Sequence, residues 1–149
     1  MRFGPFSDAD EMVHVVRLVT GIDIQPFDEV EESLARFGGR YLRRICSERE
    51  IAECLAHHAT MVRGLAVRFA AKEAVLKALT PHDHIPPWRS IEVLYDSNAV
   101  PSLALHGEAE RLARQRCVEE MRLSVGFGLG YAIATVMGDV ISDRAGPDE

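Results

Sequence analysis

Glu73 and Lys77 are set four residues apart in the run Phe69-Ala70-Ala71-Lys72-Glu73-Ala74-Val75-Leu76-Lys77. On a helix that spacing puts both side chains on one face. The face offers a carboxylate to a metal ion and an ammonium to a phosphate. Ala70, Ala71, Ala74 and Ala78 give another face small enough for a second element to pack closely. Upstream, Gly21-Ile22-Asp23-Ile24 reads as the end of a strand that carries one acid. Spacing alone leaves Asp23 open as a metal ligand or a cap. It also leaves Glu73 and Lys77 open as a surface ion pair, worth only ~0.3–0.5 kcal/mol. Arg68 and Lys72, one helical turn apart, either add positive potential or are simply exposed.

These side chains need elements to hold them. Residues 1–11 are polar and punctuated by Gly and Pro, and read as a flexible extension. A β-rich run from Val13 leads into Asp23. Pro26 favours a turn or a helix start, and a helix follows through about residue 36, with Val30, Leu34 and Phe37 at helical spacing, until Gly38-Gly39 stops it. An arginine-rich turn reaches Ile45-Cys46, after which Ser47 and Glu50 form a capping box for a second helix. That helix ends near His57-His58. The main helix runs from about Thr60 to Leu79, with an apolar stripe of Leu65, Phe69, Leu76 and Leu79. Pro81 closes it, and Pro86-Pro87 exclude regular structure beyond. Ile91–Tyr95 and Ser102–His106 form a hairpin around the turn Asp96-Ser97-Asn98. A helix from Gly107 to Cys117 precedes two strands, Met121–Val125 and Tyr131–Met137. The expected architecture is α+β: one domain over residues 12–138, with a small, mainly antiparallel sheet packed against a long helix, and an acidic tail at 139–149.

A length of 149 residues suits one domain with a real core. The net charge of −6 argues against a general nucleic-acid binder. No apolar run approaches the ~20 residues of a membrane span. Cys46, Cys54 and Cys117 are scattered and odd in number, which fits a reduced, cytoplasmic setting. Charge is unevenly placed. The acids Asp28, Glu29, Glu31 and Glu32 are followed at once by Arg36, Arg40, Arg43, Arg44 and Arg49. These are either two solvated faces or an arginine patch that steers an acidic partner.

The acid at Asp23 and the Arg68-Phe69-Ala70-Ala71-Lys72-Glu73-Ala74-Val75-Leu76-Lys77-Ala78-Leu79 helix resemble the holo-acyl-carrier-protein synthase type of phosphopantetheinyl transferase. The resemblance extends over roughly residues 18–137. It takes in Arg43–Glu50, the Ile91–Tyr95 strand, the turn ending at Pro101, the helix from Gly107 and the closing Tyr131–Val136. It implies transfer of the phosphopantetheine arm from coenzyme A to a serine of an apo carrier protein, with Mg2+ held by Asp23 and Glu73. Lys77 would pair with a CoA phosphate, and Lys72 and Arg68 would add positive potential around the donor. It also implies a homotrimer with sites between subunits. Four positions depart from the family pattern: Thr80–His84 replaces a glycine-rich loop, Ala99-Val100-Pro101 replaces Gly-Lys-Pro, Gly126-Phe127 replaces Ser-His, and Glu29 replaces an arginine that grips the carrier. A carrier with a less acidic face, from polyketide or other specialised synthesis, follows from Glu29. The alternatives are a catalytically altered member acting as a carrier-binding or assembly subunit, and related chemistry on another substrate.

Overall fold

The computed structural model describes residues 17–57 and 60–141. The expected extension at 1–11, the start of the β-rich run at 13–16, His58 and the tail from residue 142 lie outside the described residues. The expected α+β architecture is present. A three-stranded antiparallel sheet has the order β1-β5-β4, formed by β1 (Arg17–Pro26), β4 (Val118–Gly128) and β5 (Tyr131–Val140). A separate antiparallel hairpin pairs β2 (Ile91–Tyr95) with β3 (Pro101–Leu105).

β1 passes directly into α1 (Phe27–Phe37), whose first turn carries Asp28 and Glu29 where the helix dipole favours acids. Gly38 has φ of +51°, a backbone state that costs a glycine little, and turns the chain sharply. The arginine-rich segment beyond it was expected to be a turn and is instead α2 (Gly39–Ile45). Tyr41, Leu42 and Ile45 are at helical spacing, and their inward side explains the difference. Ser47 caps α3 (Glu48–Ala56) with the expected capping box, both reciprocal bonds being present.

α4 (Met61–Leu79) crosses the sheet. It is buried on most of its circumference rather than along one stripe, and Phe69 is only partly buried. One half packs against α1, α2 and α3, while the other packs against the sheet, the hairpin and α5 (Gly107–Gln115). A helix buried nearly all round is the mark of a central core element. β4 and β5 extend beyond their expected limits because they continue to pair with each other. β5 reaches Val140, so Asp139 and Val140 belong to the sheet rather than the tail. Cys46 and Cys54 are buried and Cys117 is exposed, all as free thiols. Burial pushes the Cys46 thiol up to about 12, so it stays neutral and inert at ordinary pH.

Candidate active site

Side chains alternate along β1, so Gly21, Asp23 and Gln25 face α4 while Ile22 and Ile24 face away. The approach is set by two small residues. A Cβ on Gly21 would lie 1.9 Å from the Ala74 carbonyl oxygen, so strand and helix meet backbone to backbone. Two residues further along the strand, Asp23 is paired with Ala134 of β5. Asp23 therefore lies within β1 rather than at its end.

At this crossing the Lys77 ammonium donates to Asp23 Oδ1 at 2.7 Å and to the Ile22 carbonyl at 3.1 Å. Glu73, one turn before Lys77, accepts a hydrogen bond on Oε1 from the Trp88 indole N–H at 2.5 Å. Each acid is thus held through one oxygen. Among the described residues the second oxygen of each has no hydrogen-bond partner. The tertiary structure joins Asp23 to Lys77, which the linear spacing could not do, with Glu73 one turn before Lys77 on the same helix.

The same described residues contain no group of three or more His, Cys, Asp or Glu able to enclose a metal. A pair of carboxylates with free oxygens suits a cation that takes one or two protein ligands and completes its shell with phosphate oxygens and water, as Mg2+ does. The donor set therefore fits Mg2+, which Asp23 and Glu73 would hold.

Lys72 and Arg68, expected to add positive potential around the donor, are instead buried in the interior. Lys72 is 0% exposed. Its three N–H groups go to Glu50 Oε2 at 2.7 Å, the Ile45 carbonyl at 2.7 Å and the Trp88 carbonyl at 3.2 Å. Glu50, equally buried, accepts from the Ser47 and Val93 amides as well. Arg68 is 4% exposed and is committed to Glu53 at 2.5 Å and the Gly64 carbonyl at 3.3 Å. Both cations belong to an interior ion network. Alanines and leucines surround them on a helix buried nearly all round, and that crowding was the signal in the sequence that they would not be solvated.

Beside Glu73 lies a groove of about 430 Å³, walled by Phe37, Tyr41, Phe69 and Trp88 and flanked by Arg40 and Arg44. Arg44 stacks over the Trp88 ring at 5.4 Å, and Phe69 meets the same ring at 5.5 Å. Arg36, Arg40, Arg43, Arg44 and Arg49 are all exposed. Glu29, also exposed, is bonded back to Gln25 at 3.1 Å. Trp88 escaped the sequence reading because a lone tryptophan after two prolines has no periodicity to mark it.

The chain matches a known class. The sequence model of the 4'-phosphopantetheinyl transferase superfamily matches residues 20–136. A holo-[acyl-carrier-protein] synthase of Herpetosiphon aurantiacus is 35% identical over 128 residues, covering 81% of this chain and 98% of its own. Its counterpart in Moorella thermoacetica is 38% identical over 120 residues, covering 80% of this chain and 92% of its own. Among solved structures, the Chronobacterium ammoniagenes ACPS–CoA complex aligns with a TM-score of 0.74 at 25% identity, covering 85% of this chain and 99% of that one. The chain belongs to the 4'-phosphopantetheinyl transferase superfamily, and within it to the enzymes of the holo-acyl-carrier-protein synthase type.

Proposed function

We propose that this chain transfers the phosphopantetheine arm of coenzyme A to a serine of an apo carrier protein. The observation that supports the reading is the Lys77–Asp23 bond where β1 packs on α4, with Glu73 one turn before Lys77 on the same helix. Asp23 and Glu73 are the residues that would hold Mg2+, which when bound neutralises charge on the pyrophosphate of the donor. Lys77 is a compact cation free to engage a donor phosphate once it swings from Asp23. In the transfer the serine oxygen forms a bond to the phosphorus bearing the pantetheine arm. The bond to adenosine bisphosphate breaks, and the serine proton leaves to water. Positioning and charge stabilisation supply most of the catalysis in such phosphoryl chemistry.

The aromatic groove and its arginines are the proposed docking place for the carrier. Their positive potential suits an acidic helix, and the groove opens beside Glu73 through Trp88. Exposed Glu29 reduces that potential, which supports a less acidic, specialised carrier. The intact acid–lysine set argues against a purely assembly role.

The test is intact-mass spectrometry of several apo carriers mixed with the protein, CoA and Mg2+. A gain of one phosphopantetheine arm is expected, and its loss in an Asp23→Ala, Glu73→Ala double variant. Carriers that all stay apo would reject the reading.

A homotrimer is part of the proposal. The outer face of the sheet exposes Ile22 (57%) and Ile24 (54%) beside Tyr131, Ile133 and Met137. An antiparallel sheet normally turns polar residues to water on its free face, so this apolar surface supports self-association. Light scattering is expected to show a trimer for the wild type and a smaller species for Ile22→Asp, Ile24→Asp. A monomeric wild type would remove the oligomer from the account.

A further inference from the structure

The Trp88 side chain is constrained from three sides. Its backbone carbonyl accepts from buried Lys72 at 3.2 Å, which ties the short 3-10 turn Trp88–Ser90 to the interior ion network. Pro86 and Pro87 restrict the chain just before it. Its ring packs against both halves of the core, with Phe69 and Arg44 against it at 5.5 and 5.4 Å. The one polar atom of the ring, Nε1, is directed at Glu73 Oε1 at 2.5 Å. Glu73 is otherwise only half-buried, and no other hydrogen bond restrains its carboxylate among the described residues.

We propose that Trp88 is the positioning residue that aims the Glu73 carboxylate, fixing one oxygen so that the other faces the metal. This rests on the Mg2+-assisted transferase reading above. The arrangement mirrors the other acid, where Lys77 holds one oxygen of Asp23. The two restraints differ in kind, however. Lys77 is a mobile, exposed cation that can leave Asp23 for a phosphate, whereas the indole is a neutral donor locked by packing and cannot follow a substrate. A charge-assisted bond from a fixed donor defines the direction of the carboxylate before any ligand arrives. Hydrogen bonds of this sort to a ligating side chain are commonly worth 10–100-fold in metal affinity.

The first experiment titrates Mn2+ by electron paramagnetic resonance with CoA present and carrier omitted, for the wild type and for Trp88→Phe. Phenylalanine keeps an aromatic ring against Phe69 but has no N–H. An affinity about 10-fold weaker in Trp88→Phe is expected. An unchanged affinity overturns the inference while leaving the transferase reading intact. If the wild type binds no Mn2+ in the presence of CoA, the metal reading falls and this inference with it.

The second experiment keeps Trp88 in place and does not depend on Trp88→Phe being stable. The chain has a single tryptophan, so a nitrogen-15 spectrum of the full chain contains one indole N–H signal. That signal is expected to shift on Glu73→Gln and again when Mg2+ and CoA are added to the wild type. A signal indifferent to Glu73→Gln overturns the inference.

Discussion

Lys72→Met is expected to cost about 3–5 kcal/mol of stability, the penalty for leaving a buried charge without its partner. Glu50 Oε2 would lose its ammonium in a site that is 0% exposed on both sides of the pair. Arg68 is the nearest other cation to this carboxylate, at 3.9 Å through Nε, and it is already committed to Glu53. The Ile45 and Trp88 carbonyls would lose a donor at the same time. Urea unfolding should show a lower midpoint with an unchanged slope, the mark of lost stability rather than altered compactness. Adding Glu50→Gln should recover part of the loss by removing the orphaned charge, but not all of it. The glutamate also caps α3 and accepts from the Val93 amide, and an amide serves these donors less strongly. The result separates two roles for this lysine. A phosphate ligand would give a stable variant with a raised KM for CoA; a wild-type unfolding midpoint would therefore restore Lys72 to the donor site.

Asp23→Asn should behave in the opposite way, falling about 10²–10³-fold in transfer rate while the fold stays nearly as stable. That range is typical for removing one preorganised electrostatic group from an active site. Little stability is at stake because the partner, Lys77, is 54% exposed, and solvent-screened pairs of this kind contribute ~0–1 kcal/mol. Asparagine keeps the size and one oxygen but not the charge that a divalent cation requires. Lys77→Met should also slow transfer, chiefly through a higher KM for CoA. Combined with Asp23→Asn it should cost less than the sum of the two, because both residues serve one cluster. Initial rates over a CoA series, read by intact mass, would decide this. Wild-type rates for Asp23→Asn would remove the aspartate from the chemistry.

These two lysines, five residues apart on one helix, show where the sequence was legible and where it was not. The long α4, the capping box at Ser47 and Glu50, the hairpin and the closing strands all follow from local pattern, because periodicity and capping are short-range properties. The family motif pointed to Asp23, Glu73 and Lys77, and the fold bonds Lys77 to Asp23 while Glu73 is bonded to Trp88. Local pattern misread α2 as a turn, since Gly38 ends one helix and permits another to begin at once.

What the sequence by itself determined was the α+β architecture, most of its elements and the membership of the family. The tertiary structure decided which cations are free. Lys72 and Lys77 are chemically identical, yet α4 turns the first toward Glu50 in the interior and the second toward Asp23 at the surface. It also decided that Trp88, Glu50 and Gly21 matter, each through a partner at least fifteen residues away. Hydrogen-bond direction, burial and backbone approach depend on elements distant in the chain, and no periodicity within one segment encodes them.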